Sequence, residues 1–335
     1  MDNKPVASLS LDLDNLWSYM KTHGDAGWEN YPTYLDIVVP RVLKFLQERD
    51  LKITFFIVGQ DASRSENHNA IRSIAAAGHE IGNHSFNHEP WLHLYTEEQI
   101  EEEISRTEVE LEKVTGQRPV GFRGPGYSLS LKVLQVLKKH GYLYDASTLP
   151  TFLGPLARAY YFMTAKLNKE EQNNRKILFG EISDGLRSIH PYQWSLDQNG
   201  SSILEIPVTT MPVFKLPFHV SYVIYLSNFS PVIARFYFWV AMLLCRLTKV
   251  TPSLLLHPLD FLGSDDLDQL AFFPGMNMTS ERKLKIVNDI LRIYAKYFNV
   301  KSMWQHAKVY SYTKGLKTVK PNFRHVANET TAVTS

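Results

Sequence analysis

In GHEIGNHSFNHEPW, Gly78–Trp91, His84 and His88 stand four residues apart among Gly, Asn, Ser and Pro. On a helix that spacing stacks two imidazoles on one face, as in zinc proteases, but Pro90 and its turn-forming neighbours argue for a loop. Near the amino terminus, VASLSLDLD places Asp12 and Asp14 on the polar side of a period-2 pattern, so both carboxylates leave the same face of a strand at its carboxyl end. One carboxylate and two imidazoles can offer an oxygen and two nitrogens to a zinc-like ion. Three protein ligands leave positions open for water and substrate, the pattern of a catalytic site; closed structural sites favour cysteine. Arg123 in FRGPGYS, Asp145 in YDAST and His257 in LLLHPLD follow other apolar runs. Each alone has a plain structural reading as a turn, cap or hydrogen-bonded residue, so the weight falls on their recurrence at strand ends.

The elements that must hold these residues alternate. VASLSLDLD is followed by a helix from about Thr33 to Glu48, kinked at Pro40, and by the buried strand KITFFIV. The unit repeats: helix and short strand over NAIRSIAAAGHEIGNH, a helix with a Thr96/Gln99 capping box ending at Gly116, the strand PVGFR, a helix closed by Gly141, and the strand YLYDAS. Regularity breaks for roughly fifty residues after Leu149, read as an insertion at about 150–200 with short elements of its own. SILEIPVTT, PSLLLHP, an amphipathic helix over SERKLKIVNDILRIYAKYF and a short strand NVKSM resume the pattern. Such alternation predicts a mostly parallel sheet that can close into a barrel with its sites at strand carboxyl ends. Residues 5–308 read as one domain, and 309–335 as a polar, mobile tail.

Bulk properties narrow the partners. A net charge of +2 with scattered basic residues gives no footprint for nucleic acid. A single cysteine, Cys245, rules out an internal disulfide framework, and the first residues carry no apolar signal core, so a cytoplasmic protein is expected. FSPVIARFYFWVAMLLCRLTK, within 230–248, contains an apolar run from Phe236 to Cys245, too short to span a bilayer. It reads foremost as a barrel helix buried against its neighbours. The other reading is an interfacial helix, since flanking Arg and Lys with Phe, Tyr and Trp suit a membrane surface; the protein would then sit peripherally at the inner face of a membrane, on a lipid-linked sugar. Trp91, Tyr127, Tyr192 and Trp194 are candidates for stacking on sugar rings.

The ordered set SLDLDN, HSFNH, FRGPGYS, YDAST and LLLHP resembles the five motifs of the polysaccharide deacetylase family with NodB homology, also called carbohydrate esterase family 4. The resemblance covers about residues 5–308 and implies an α/β fold, a distorted (β/α)7-type barrel. It also implies hydrolysis of an N-acyl group, usually acetate, from an amino sugar of a glycan, glycolipid or lipid-linked precursor, with one divalent ion: zinc, or else cobalt, iron or nickel. By motif position, Asp14, His84 and His88 match the metal ligands and Asp12 the base that deprotonates water. His257 matches the acid that protonates the leaving amine, Asp145 the carboxylate that pairs with it, and Arg123 the arginine that orients the base. The backbone around Tyr127 matches the source of an N–H toward the oxyanion, with Pro125 and Trp91 at the substrate. Two departures mark a subgroup: Leu13 separates the two aspartates, so Asp12 and Asp14 could exchange roles, and Gly126 separates Pro125 from Tyr127. Hydrolysis of a smaller non-polymeric amide and binding of carbohydrate without catalysis are the alternatives.

Overall fold

The computed structural model describes residues 4–154, 182–311, 313 and 315–323. Most of the segment read as an insertion, 155–181, and the end of the segment read as a tail, 324–335, lie outside the described residues. The first half runs β1 Val6–Leu13, α1 Leu16–His23, α2 Leu35–Gln47, β2 Thr54–Ile57, α3 Gly59–Ala62, α4 His68–Ala76 and β3 Glu80–Asn83. It continues with α5 Glu97–Thr115, β4 Gly121–Phe122, α6 Leu131–Lys139 and β5 Tyr144–Asp145. Beyond 181 come β6 Tyr192–Ser195, β7 Ser202–Glu205, α7 Val220–Ser227, α8 Pro231–Leu247, β8 Ser253–Leu256, α9 Ser280–Tyr297, β9 Asn299–Lys301, α10 Met303–Ser311 and β10 Thr318–Val319.

Local signals set the boundaries. The Thr96 hydroxyl accepts from the Gln99 N–H, the Gln99 side chain accepts from the Thr96 N–H, and Gly116 closes α5 at φ 71°. Pro40 lies inside α2, whose buried stripe of Leu35, Val38, Val39, Val42 and Leu46 packs on β1 and β2.

Seven strands make the barrel. Their order is β7-β5-β4-β3-β2-β1-β8, every neighbouring pair parallel. The chain just past β7 closes the ring: Ile206 N–H donates to the Asp145 carbonyl and Val208 N–H to that of Thr148, while Thr209 N–H donates to that of Ser253 on β8. This is the expected distorted (β/α)7 barrel. Outside it, β6 pairs antiparallel with β7 and β10 pairs with β6, an edge the alternating pattern did not foretell. The segment from 309 was read wholly as tail, which needs correction: α10 runs to Ser311, and Thr318–Val319 pair with Gln193–Trp194.

Strand parity divides the core. Leu9, Leu11 and Leu13 of β1 face the helices, whereas Phe56, Tyr144, Ala146, Leu204 and Ile206 face the barrel interior with Met303 and Ala307 of α10. α10 sits under the amino-terminal mouth: Met303 N–H donates to Thr54 Oγ1, and the buried His306 ring lies 2.9 Å from Ser8 Oγ and 3.1 Å from Thr251 Oγ1. Burial holds His306 at about 3 and His79 at about 4, against an ordinary 6.5. A folded-state value below the unfolded one contributes stability above pH 6.5 that is lost as pH falls toward the folded value. We therefore expect the unfolding free energy to fall on acidification below 6.5, by up to about 1.4 kcal/mol per pH unit for each such ring, and the thermal midpoint with it. His306→Gln should flatten the slope in a melting series across that range; an unchanged slope would refute the assignment.

The foremost reading of 230–248, a helix buried against its neighbours, holds for one side of α8 only. Ala234, Phe238, Ala241, Met242 and Cys245 are buried at helical spacing, while Val232, Ile233 and Phe236 are exposed. Among the described residues, no helix is long and apolar enough to cross a membrane.

Candidate active site

Register carries the polar residues to one mouth. Leu13, Ile57, Asn83, Phe122, Asp145 and Glu205 lie opposite one another on successive strands of the barrel. The next residues along three of these strands are Asp14, His84 and Arg123, which parity turns toward the interior side at the carboxyl ends.

Asp14, His84 and His88 converge. Oδ1 of Asp14 lies 3.3 Å from His84 Nε2 and 2.9 Å from His88 Nε2, and one ligand atom of each residue lies within 4.8 Å of the others. Despite these distances, the buried Oδ1 has no donor in hydrogen-bond geometry. Ligands about 2.0–2.1 Å from a tetrahedral ion stand roughly 3.3–3.4 Å apart, so the spacing suits a shared cation. His84 Nδ1 lies 2.6 Å from the Arg123 carbonyl, which accepts its proton and leaves Nε2 as the ligand nitrogen, the outer-shell contact usual for metal-binding histidines. Burial would push the Asp14 carboxyl up; the His88 and His84 rings outweigh it and hold the group well below the ordinary carboxylate range. These three residues fit a divalent ion.

The turn that delivers His88 is strained. Ser85 and His88 have φ of 59° and 52°, the left-handed region that non-glycine residues seldom adopt. Glu103 of α5 compensates, accepting from the N–H groups of Phe86 and Asn87 at 2.8 and 2.9 Å. Sequence reasoning missed Glu103, although a glutamate within the buried stripe Ile100, Ile104 and Thr107 was the available signal. Asp61 was missed as well. Fully buried and pushed up to about 7 chiefly by burial, it accepts from Asn15 Nδ2 and Trp17 Nε1 at 2.8 and 2.9 Å, anchoring the chain after Asp14.

Asp12 and Asp14 do different things. The fully buried Arg123 donates from Nη1 to Asp12 Oδ1 at 2.8 Å and to Ser10 Oγ at 3.1 Å, and from Nε to the Ala146 carbonyl at 3.0 Å, with its plane over Phe56. Asp12 is thus held off the Asp14 cluster by an ion pair of its own. Leu11 pairs with Leu256, so Asp12 and His257 emerge side by side from β1 and β8.

Three expectations need correction. Asp145 does not pair with His257. It points to the outer side of the barrel, where Ser147 Oγ donates to it at 2.6 Å and Glu205 lies against it; Glu205 also accepts from Thr148 and from Trp194 Nε1. Burial, and then the neighbouring carboxyl, hold Glu205 well above the ordinary range. His257 instead has Ser221 Oγ 3.0 Å from Nδ1, its own N–H on Asp260 Oδ2 at 2.8 Å, and the His219 ring centred 6.2 Å away. Second, in the backbone around Tyr127 the N–H groups of Tyr127 and Ser128 are committed to the Gly124 and Pro125 carbonyls, both at 3.0 Å. The extra Gly126 at φ 57° closes a turn there, buries Pro125 and sets Tyr127 at φ 62°. What Tyr127 brings to the site is its hydroxyl, kept neutral by burial and then by the charge of Asp12. Third, Tyr192 and Trp194 are core residues and not sugar platforms. Trp91 is half-buried and lines an open hollow with Trp28, Lys21 and Glu29.

A closed parallel β/α barrel with an Asp-His-His cluster and an arginine-held aspartate at its carboxyl-terminal mouth defines a barrel with a metal-type site. Residues 25–144 match the polysaccharide deacetylase family model, a stretch that includes His84, His88, Arg123 and Tyr127 and leaves out Asp12, Asp14, Asp145 and His257. Over this stretch the chain is similar to the polysaccharide deacetylase family. Over 155 residues it is 28% identical to a peptidoglycan deacetylase of Helicobacter pylori, covering 44% of this chain and 50% of that one. Over 119 residues it is 34% identical to a peptidoglycan-N-acetylmuramic acid deacetylase of Bacillus subtilis, covering 35% and 42%. The chain thus spans half or less of the length of these curated relatives. A solved Mycobacterium smegmatis chain, provisionally described as a polysaccharide deacetylase, has the same fold across 96% of both chains, with a TM-score of 0.62 and 21% identity.

Proposed function

We propose that this protein is a metal-dependent hydrolase that removes an N-acyl group, acetyl foremost, from an amino sugar of a glycan or glycan precursor. The observation that carries the reading is the convergence of Asp14, His84 and His88 beside an Asp12 fixed by Arg123, with His257 emerging from the neighbouring strand. When bound, a divalent ion, zinc foremost, supplies Lewis-acid polarisation of the acyl oxygen and acidifies a water. Asp12 receives the proton of the attacking water; its Oδ1 bond to Arg123 orients the carboxylate. His257 donates a proton to the departing amine, its ring oriented by Ser221 through Nδ1. The neutral Tyr127 hydroxyl, under the influence of Asp12 and Asp14, donates toward the oxyanion where the committed N–H does not. Trp28 and Trp91 offer ring faces for the adjoining sugars.

The test is release of acetate or formate from N-acylated chito-oligosaccharides and peptidoglycan fragments. Asp12→Asn and His257→Ala should each lower the rate by about 10²–10⁴-fold while leaving bound metal unchanged. Release that survives chelation and both substitutions would overturn the mechanism.

A further inference from the structure

Apart from Arg235 and Arg246, α8 carries almost only apolar side chains, and apolar helix faces are normally buried. Here Phe229, Val232, Ile233 and Phe236 are 75%, 76%, 65% and 61% exposed, and among the described residues nothing covers them. Tyr225 of α7 packs edge-on against Phe229, and Phe236 lies against Trp239, so the exposed groups form one patch across α7 and α8. Isolated exposed apolar residues need no explanation, but a contiguous patch does.

Its border is mostly basic. Arg235 reaches Asp289 of α9 at 3.5 Å, and Trp239 Nε1 donates to Tyr297 at 2.7 Å, so α9 runs alongside the patch. On α9 the exposed Arg292 and Lys296 lie between those two contacts, and the exposed Arg246 and Lys249 lie at the far end of α8. Asp289 is the acid among them. Aromatic and aliphatic side chains on one helix face with Arg and Lys at its margins match a bilayer interface, where the apolar face sinks about 5–10 Å and the cations meet anionic headgroups. Since the described helices include none able to span, this face would lie on a membrane and not cross it.

The patch is coupled to the site by α7. Ser221, in its first turn, contacts His257, and its last turn leads into Phe229. Eight residues of helix span about 12 Å, so the patch lies one short helix from the acid.

We propose that the exposed face of α7 and α8 docks on the surface of an anionic lipid bilayer and, resting on the hydrolase reading above, that the amino sugar acted on is carried by a membrane lipid. The test is co-sedimentation of the full chain with phosphatidylcholine vesicles, with and without phosphatidylglycerol. The wild type pellets with the anionic vesicles, and Phe229→Ser/Phe236→Ser lowers the bound fraction about tenfold or more. Arg292→Glu/Lys296→Glu weakens binding to anionic vesicles only. Wild type left in the supernatant, or a Phe double variant that pellets equally, overturns the proposal; so does a wild-type dimer without vesicle binding that the Phe variant dissociates, which makes the face a self-contact. Acyl release from a short water-soluble oligosaccharide, unchanged in both double variants, checks their folding and reads the hydrolase function separately. Vesicle binding without acyl release would sink that function and leave the docking standing. With vesicle binding established, a release rate from lipid-borne amino sugar no higher than from the free oligosaccharide overturns the substrate assignment alone.

Discussion

Replacing His88 with alanine is expected to strip the protein of its divalent ion and to lower acyl release by about 10³-fold or more, because several kcal/mol of transition-state stabilisation depend on it. His88 is the most exacting of the three proposed ligands: its ring meets Asp14 where the chain takes φ 52°, with Glu103 holding the preceding N–H groups. Asp14→Ala should behave alike. Metal analysis of protein purified without added metal, read beside acetate release, checks both. A variant that keeps stoichiometric metal and full rate would remove Asp14, His84 and His88 as the ion's ligands. Asp145→Asn serves as the contrast: since Asp145 faces Glu205 on the outer side of the barrel and not His257, it should leave the rate within a few-fold of wild type and metal content unchanged.

The second large effect falls on stability. Arg123→Leu leaves Asp12 buried without its partner and strands the Ala146 carbonyl, and breaking such a pair costs about 3–5 kcal/mol. Removing both charges, as in Asp12→Leu/Arg123→Leu, should recover part of the loss, because the penalty comes from the lone charge and not from the absent attraction. Arg123→Lys should not rescue it: an ammonium cannot serve the Ala146 carbonyl, Ser10 and Asp12 from one planar fork. Urea unfolding of the three variants decides the matter, and an Arg123→Leu chain as stable as wild type would refute the account.

Much of this was legible in the linear chain. Period-2 spacing in VASLSLDLD put Asp12 and Asp14 on one face, turn formers around His84 and His88 excluded a helix, and the Thr96/Gln99 box marked the start of α5. These are local properties, set by backbone sterics and side-chain periodicity within about ten residues. Which aspartate joins the histidines, where Asp145 points and what His257 touches were not local. The first was decided by Arg123, more than a hundred residues from Asp12, reaching across the interior to claim it. The second followed from strand register, in which one step along β5 moves a side chain from the interior to the outer face. The third needed α7, whose Ser221 comes to β8 through packing alone. The sequence by itself determined which chemical groups stand at strand ends and that the strands alternate with helices; the tertiary structure alone decided their pairing, because a buried charge takes whichever partner the closed barrel brings within reach, and that choice depends on contacts far apart along the chain.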